Sequence, residues 1–301
     1  MEEGAILLVG VGGIGCSWSS KAHETSSELA DLLLVDSEES SFSSSIEAHC
    51  LHLDASGSGK GSAALPNLAA HRLSEGISGI SALLEKSELV IILTALGGGT
   101  GSGASSEIAS RAKKSGSLVI SIVGIPFAEQ PLRCAIAESS LPPLESNSDL
   151  CIRVSLERLA WQARQRNSDW KLGSEWISEL IEGLVTTLAR VGKLNLDLMD
   201  LRTIVQRPGN ATLIVGNGTT DDPDDLVRIA RSSPLSEIEV SGAKGCLIQV
   251  EGGPDMTLGH LNQVSEAFVS SLDEDCQVIL GARASDEMAG RLRLVAVVSG
   301  L

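Results

Sequence analysis

The most informative segment of the sequence is Gly97-Gly98-Gly99-Thr100-Gly101-Ser102-Gly103. It follows an apolar run of strand length, Leu89 to Leu96, and leads into a segment of helical length, Gly103 to Ser115. Five glycines in seven residues allow positive φ angles and close backbone approach, and the two hydroxyl side chains add donors for phosphate oxygens. Flexible linkers do not lie between a buried strand and a helix. The heptad therefore predicts a phosphate-binding loop.

Another glycine-rich loop, Gly10-Val11-Gly12-Gly13-Ile14-Gly15, follows the first apolar run and opens a helix. Its backbone N–H groups and the helix start can face an anion. Alone it is weak evidence, because Asp36 ends the next strand and the two features together also form the dinucleotide fingerprint of an oxidoreductase. Oxidoreductases with that fingerprint do not need a second glycine-rich loop such as the heptad. A dinucleotide-dependent oxidoreductase is therefore the less favoured alternative.

Apolar runs of strand length alternate with segments of helical length, such as Asn67 to Leu84, through the first half of the chain. This alternation is typical of a parallel sheet, because parallel strands need helical crossovers. We expect a doubly wound sheet with its ligand at the carboxyl ends of the strands. The predicted strands are Ala5 to Val11, Leu32 to Val35, Cys50 to Leu53, Leu89 to Leu96, Leu118 to Ile125 and Leu150 to Val154.

The predicted strands and helices follow a different order in the second half of the chain. Apolar residues between Ile177 and Leu188 recur at helical spacing and predict one central helix, which Gly192 ends. The segments after it predict a smaller α/β unit that closes with two adjacent strands. In chain order the predictions are strand Ala211 to Val215, helix Asp224 to Arg231, strand Gly245 to Val250, helix Leu258 to Leu272, and strands Gln277 to Ala282 and Arg291 to Val298.

The composition of the 301 residues excludes several classes of protein. A formal charge of −16 repels nucleic-acid phosphate and anionic lipid. No apolar run approaches the roughly 20 residues that span a bilayer, and the acidic start does not resemble a signal peptide. The cysteines form no CxxC pair and the histidines no ligand-like spacing. We expect a cytoplasmic protein that binds no nucleic acid, does not insert into membranes and has no metal site built from side chains.

The two glycine loops resemble those of the tubulin/FtsZ family, in the form carried by FtsZ, and the resemblance extends over essentially the whole chain. It implies a doubly wound, mostly parallel GTPase domain (residues 1–168), a long central helix (169–192), and an activation loop followed by a smaller α/β domain with a mixed sheet (193–301). The ligand implied is GTP or GDP with Mg²⁺. The partner implied is a second copy of the chain in a head-to-tail filament, and the chain is similar to a divergent FtsZ homologue of archaeal type.

The resemblance also assigns the nucleotide contacts. It implies a first phosphate loop, a γ-phosphate-sensing loop, the heptad and a ribose-side segment after Pro126-Phe127. The residues implied are Gly12, Gly13, Gly15, Cys16 and Ser17; Gly59, Lys60 and Gly61; Gly97, Gly98, Gly99, Thr100, Gly101 and Ser102; and Glu129 and Arg133.

The segment Leu194 to Arg202 resembles the family's activating loop. This implies that Asn195, Asp197 and Asp200 act on the nucleotide of the next subunit, where the carboxylates polarise a water against the γ-phosphate. In an extended or turning segment, two carboxylates three residues apart can converge on one water. Taken without the family, the NxDxxD pattern is weak and fits a solvated turn.

The base pocket departs from the family's pattern. Trp170 stands where the family has a base-stacking aromatic residue. Ser17 replaces an asparagine at the end of the first loop, and Ser174-Glu175 replaces an Asn-Asp pair that contacts the base. Together with Lys60, the two serines favour an alternative, a structural or regulatory paralogue that binds nucleotide with little turnover. The activating carboxylates favour a filament-forming GTPase in cell division or membrane remodelling. FtsZ normally ends in a tail that recruits membrane adaptors, and this sequence stops at Leu301. Two alternatives stay open, a truncated chain or a member that attaches differently, and the adaptor is unknown.

Overall fold

The structure is a computed structural model, and it describes residues 5–42, 47–54, 61–62, 64–165, 167, 169–172, 175–189, 194, 196–206, 211–231, 240–270 and 272–301. The chain divides into two compact units, one up to Ser178 and the other from Glu179. None of the described helices is long and apolar enough to cross a membrane.

The first unit is built on six parallel strands that lie within one residue of their predicted limits. They are β1 (Ile6–Val11), β2 (Asp31–Asp36), β3 (His49–His52), β4 (Leu89–Ala95), β5 (Leu118–Ile125) and β6 (Leu150–Ser155). Their order in the sheet is β3-β2-β1-β4-β5-β6, and all neighbours pair in parallel. The two central strands, β1 and β4, are buried along almost their whole length, as strands covered on both faces must be. The predicted doubly wound parallel sheet is confirmed.

The helices of the first unit depart from prediction in two places. They are α1 (Gly12–Ser26), α2 (Pro66–Gly76), α3 (Ser81–Lys86), α4 (Gly99–Lys114), α5 (Pro131–Asn147) and α6 (Leu156–Gln165). The single helix expected from Asn67 to Leu84 is wrong, because a 3₁₀ turn at Ile77–Gly79 separates α2 from α3. Helix α4 begins four residues before the predicted Gly103. Glycine is a poor helix former, but a Cβ at Gly103 would lie 2.1 Å from the Pro66 carbonyl oxygen, so packing against α2 requires it there.

Helix α7 (Glu175–Ala189) is the predicted central helix. The apolar residues that predicted it, from Ile177 to Leu188, are buried. The helix is shorter than expected at its start, since Trp170–Leu172 forms a separate 3₁₀ turn. The boundary between the two compact units falls inside α7, and the domain limits at residues 168 and 192 stay predictions.

The second unit holds a mixed four-stranded sheet. Its elements are α8 (Leu198–Val205), β7 (Ala211–Thr219), α9 (Pro223–Arg231), β8 (Gly245–Gly252), α10 (Leu258–Val269), β9 (Gln277–Ala284) and β10 (Arg291–Ser299). The order is β7-β10-β8-β9, with β8 and β9 parallel and β10 antiparallel to both of its neighbours. The last two strands are therefore adjacent in the chain but not in the sheet. Strand β10 takes a central, buried place, and the half-exposed β9 lies at the edge.

Candidate nucleotide-binding site

The two glycine loops meet at the centre of the parallel sheet. They leave β1 and β4, which are neighbours at the point where the strand order reverses, and this is where open α/β sheets bind ligands. Gly12 has a φ of +74°, a conformation that side chains disfavour. A Cβ on Gly12 would lie 3.2 Å from the Gly101 backbone nitrogen. Glycine thus lets the backbones of the two loops approach each other.

Helices α1 and α4 both begin at these loops without a capping side chain. The N-cap residues, Val11 and Gly98, make no side-chain hydrogen bond to the first turn, and neither first turn contains an acidic residue. The first N–H groups of a helix have no acceptor within the helix, and the helix dipole adds positive partial charge at that end. Two uncapped helix starts at one place form a binding site suited to phosphate oxygens.

A cavity of about 790 Å³ opens at these helix starts, within the size range of small-molecule and cofactor sites. All the described residues that line it belong to the first unit. Nine of the residues implied by the resemblance line the cavity: Gly12, Gly13, Ser17, Gly98, Gly99, Thr100, Gly101, Arg133 and Trp170.

Two residues of the first loop that the resemblance assigned to nucleotide binding pack in the protein core instead. A Cβ at Gly15 would lie 2.2 Å from the Leu93 carbonyl oxygen, so Gly15 packs α1 against β4. Cys16 is fully buried, and its Sγ donates to the carbonyl oxygens of Gly10 (3.5 Å) and Val35 (3.7 Å). Burial raises the pKa of the Cys16 thiol far above its usual range. Only the backbone of these two residues could therefore reach a ligand, and their contacts stay predictions.

The remaining implied residues that the structure describes do not line the cavity. Ser102 Oγ accepts from the Gly97 backbone N–H at 2.9 Å, which closes the start of the heptad on itself. Gly61 accepts, through its carbonyl oxygen, a hydrogen bond from Arg72 Nη1 at 3.0 Å. Glu129 is exposed. Gly59, Lys60, Ser174, Asn195 and the side chain of Glu175 lie outside the described residues, so their roles also stay predictions.

Two hydroxyl residues in the cavity wall, Ser37 and Ser62, were not predicted from the sequence, and both lie beside the predicted Thr100. Thr100 Oγ1 lies 3.1 Å from Ser37 Oγ and donates to Ser62 Oγ at 3.3 Å. Ser37 and Ser62 line the cavity beside the glycine loops, and all three residues are buried. The position of Ser37, directly after β2, was a usable signal, because the carboxyl ends of parallel strands share one edge of the sheet.

Carboxylate side chains also line the cavity near the glycine loops. Asp36 Oδ1 accepts from the Ser37 backbone N–H at 2.7 Å, and its Oδ2 accepts from Ser41 Oγ. A Cβ on Gly13 would lie 3.8 Å from Asp36 Oδ2, and Glu38 lines the same cavity. Carboxylate oxygens are the ligands that Mg²⁺ prefers, in combination with nucleotide phosphates. Asp36 and Glu38 therefore fit a nucleotide-bound Mg²⁺.

An aromatic pair forms another part of the cavity wall. The rings of Phe127 and Trp170 meet edge to face, with centroids 5.4 Å apart and planes at 67°. The Trp170 carbonyl oxygen accepts from Trp18 Nε1 at 3.4 Å, which holds the 3₁₀ turn against α1. Lys171 Nζ lies 5.9 Å from the centre of the Trp170 ring. This wall presents an indole that could stack on a nucleotide base.

The two predicted catalytic carboxylates begin helix α8 in the second unit. Asp197 Oδ1 accepts from the backbone N–H groups of Met199 (2.7 Å) and Asp200 (2.9 Å), and Asp200 Oδ2 accepts from that of Asp197 (3.0 Å). This is a capping box. The expectation of an extended or turning segment is wrong from Leu198 onward, because the box starts a helix. Asp three residues before another Asp, ahead of an apolar run, was the signal.

Family comparisons agree with the geometry of the first unit. Residues 5–162 match the tubulin/FtsZ family, GTPase domain, and residues 209–301 match the FtsZ family, C-terminal domain. The chain belongs to the tubulin/FtsZ family. It is therefore a member of a GTPase family, as the resemblance predicted, and the oxidoreductase alternative is wrong.

Individual members of the family match almost the whole chain. Cell division protein FtsZ 1 of Archaeoglobus fulgidus is 31% identical over 301 residues, which cover 98% of this chain and 82% of that protein. A solved FtsZ dimer from M. jannaschii has a TM-score of 0.85 at 25% identity and covers 100% of this chain and 89% of that one. CetZ2 from Haloferax volcanii, solved as a GTPγS-bound protofilament, has a TM-score of 0.80 at 19% identity, covering 98% and 92%. At that identity the likeness to CetZ2 shows the fold alone.

Proposed function

We propose that this chain binds GTP and GDP and assembles head to tail in the cytoplasm. It hydrolyses GTP where two subunits meet, in cell division or membrane remodelling. The observation that carries the proposal is the pair of uncapped helix starts, at Gly12 and Gly99, in one cavity. The family match supplies the identity of the nucleotide. The name of one solved relative, an FtsZ dimer, supports self-association.

The placement of the carboxylates supports a shared site. The cavity lies in the first unit, whereas Asp197 and Asp200 lie in the second. Asp197 is exposed, and the hydrogen bonds of the described residues engage only one oxygen of each carboxylate. The other oxygen of each can act on a water molecule held by a neighbouring subunit. The capping box keeps both groups together on a rigid helix start, which suits catalysis by positioned groups.

Mg²⁺ is the proposed cofactor of the nucleotide. Asp36 and Glu38 would hold it together with the phosphates, and the ion would offset the charge of the phosphates and of these carboxylates. No three His, Cys, Asp or Glu side chains form a metal-binding group in the part of the chain that the structure describes. A site completed by phosphate oxygens is the usual arrangement for this ion.

A sedimentation experiment with phosphate measured in parallel tests the proposal. With GTP and Mg²⁺ the protein should pellet and release phosphate, and the rate per subunit should rise with protein concentration because two subunits form each site. GDP should support binding without phosphate release, and ATP or a chelator should support neither assembly nor turnover. The subunit charge of −16 should also make assembly depend on ionic strength.

Two outcomes of this experiment would count against parts of the proposal. A rate per subunit that stays constant down to the lowest protein concentration would place the whole active site in one subunit. Assembly with GTP but without phosphate release would favour the structural or regulatory paralogue, for which Ser17 in the cavity wall is the supporting feature.

Replacing Trp170 by Ala should weaken GDP and GTP binding. Stacking of a base on an aromatic side chain contributes about 1–3 kcal/mol, which corresponds to a roughly 5- to 150-fold loss of affinity. The Trp170 carbonyl bond to Trp18 does not depend on the side chain, so the turn should persist. Trp170→Phe is the matched control, since it keeps a stacking face and should lose much less. Equal affinity of all three proteins by calorimetry would show that Trp170 only packs against Phe127.

A further inference from the structure

The segment before the catalytic carboxylates is attached to the edge of the second unit's sheet. Leu194 pairs with Ala282 of β9 through two backbone hydrogen bonds, Leu194 N to Ala282 O and Ala282 N to Leu194 O, both 3.0 Å long. Strand β9 is an edge strand, so its outer side offers unpaired backbone groups for such a bridge. The chain is thereby fixed to the sheet three residues before Asp197.

Leu196 adds a side-chain attachment to the same strand. It is only 6% exposed, although its neighbour Asp197 is exposed. A Cβ on Gly281 would lie 2.6 Å from Leu196 Cγ and 2.0 Å from Gln249 Oε1. The space above Gly281 is therefore filled by these two side chains. Any residue larger than glycine at position 281 must move Leu196, Gln249 or the strand itself.

The strand that carries this attachment is itself held firmly. Arg283, two residues after Gly281, donates from Nη1 to Glu251 Oε1 of β8 at 2.7 Å, and both side chains are buried. Glu251 Oε2 lies 3.7 Å from Arg293 Nη1, which also binds Glu182 at 2.9 Å. Charges paired in this way within a buried network resist displacement, because separating them leaves uncompensated charge. Pressure from a new side chain at position 281 should therefore be relieved by the side chains of Gln249 and Leu196 rather than by β9.

The other side of the carboxylates is fixed as well. Helix α8 buries Leu201 and Ile204 within the second unit, and Ser299 Oγ of β10 donates to the Ile204 carbonyl oxygen at 2.6 Å. The capping box thus lies between two attachments to one sheet, the Leu194 bridge with Leu196 on one side and α8 on the other. The direction in which Asp197 and Asp200 point depends on both.

We propose that Gly281 and Leu196 are positioning residues for GTP hydrolysis. By letting Leu196 lie directly on β9, Gly281 sets where the capping box presents Asp197 and Asp200 to the nucleotide of the next subunit. This inference rests on the shared active site proposed above. Neither residue is among those that line the cavity, and the pair acts only through the segment that supplies the carboxylates.

The variant Gly281→Ala tests the proposal. We expect its phosphate release at saturating GTP to fall by 10- to 100-fold, the order of effect that follows a displacement of about 1 Å in a catalytic group. Its GDP affinity, set in the first unit, should stay within about twofold of wild type. Gly216→Ala is the matched control. There the new Cβ would lie 2.6 Å from Ala230 Cβ, so it strains the same sheet against α9, away from Leu196. It should lower thermal stability but keep its turnover below the melting transition.

Mixing experiments separate positioning of the carboxylates from general damage. Two tester variants are needed: Gly98→Asp, which should not bind nucleotide but keeps its own carboxylates, and Asp200→Asn, which binds nucleotide but lacks one carboxylate. Mixed with Gly98→Asp, the Gly281→Ala protein should regain turnover, because its bound GTP meets well-placed carboxylates. Mixed with Asp200→Asn it should stay at its own low turnover, because neither subunit supplies a well-placed pair of carboxylates.

The opposite pattern, recovery with Asp200→Asn but not with Gly98→Asp, would overturn the proposal, and so would wild-type turnover of Gly281→Ala alone. Co-sedimentation with Asp200→Asn shows whether Gly98→Asp joins the assembly. If it does, and the mixture of the two testers stays inactive while Gly281→Ala is impaired and Gly216→Ala is not, the shared site is wrong and positioning acts within one subunit. Should Gly281→Ala fail to fold, Leu196→Ala removes the same attachment without adding atoms. It should show the same loss and the same pattern of recovery.

Discussion

Replacing Asp200 by Asn should lower the rate of phosphate release by roughly 10²- to 10⁴-fold, the contribution of a positioned general base. GDP affinity should stay close to wild type, because the residues that line the cavity belong to the first unit. Assembly should persist, and filaments should become longer-lived since their nucleotide is hydrolysed slowly.

The capping box decides which substitution is informative. Asparagine at position 200 keeps a side-chain oxygen that can accept from the Asp197 backbone N–H, so the start of α8 should remain intact. Alanine would remove this bond as well and cost up to about 1 kcal/mol of helix stability. A loss of turnover in Asp200→Ala alone would therefore mix a catalytic effect with a structural one.

Asp224→Asn is the matched control for the change in charge. Asp224 is exposed in the first turn of α9, another helix start of the same unit. Phosphate release measured at equal polymer mass should be near wild type for Asp224→Asn and almost absent for Asp200→Asn. Full activity of Asp200→Asn would show that its carboxylate has no catalytic role.

Replacing Gly98 by Asp should abolish nucleotide binding while leaving the fold intact. Gly98 is the N-cap of α4, has an extended backbone with a φ of −104°, and has open space where a Cβ would lie. Asp is a favoured N-cap residue, so the helix should gain stability. Its charge would occupy the place of a phosphate. Two like charges about 4 Å apart near a protein surface interact by roughly 4 kcal/mol, which corresponds to about a thousandfold loss of affinity.

The matched control is Gly98→Asn, which has nearly the same shape and can also cap the helix, but carries no charge. The difference between the two affinities, measured by calorimetry with GDP, isolates the electrostatic effect. The neighbouring Gly99 is unsuitable for this test, because a Cβ there would lie 2.5 Å from Ser62 Cβ and any substitution would disturb the loop itself. If Gly98→Asp bound GDP as tightly as Gly98→Asn, the phosphates would not lie at the start of α4.

The order of elements could be predicted from the sequence because its signals are local. A buried parallel strand is a short continuous apolar run, and each of the six runs in the first unit became a strand within one residue of its predicted limits. The start of α4 was misplaced because glycine argues against a helix locally. The packing of Gly103 against Pro66, more than thirty residues away, outweighs that preference.

The order of the strands in the second sheet could not be predicted from local sequence signals either. Strands β9 and β10 are consecutive in the chain, but β8 lies between them in the sheet. Both strands are rich in apolar residues, so composition does not distinguish them, and only the fold buries β10 in the sheet and leaves β9 half-exposed at its edge.

Composition and spacing therefore predicted that two glycine loops bind phosphate, and a family resemblance named the nucleotide. Which side chains face the cavity was decided by contacts between residues distant in the sequence. Cys16 points away because its thiol reaches the Val35 carbonyl oxygen, and Thr100 joins Ser37 and Ser62, which no motif marked. The packing of Leu196 against Gly281 is also a contact between residues distant in the sequence. The direction of a side chain depends on the space that the rest of the fold leaves for it.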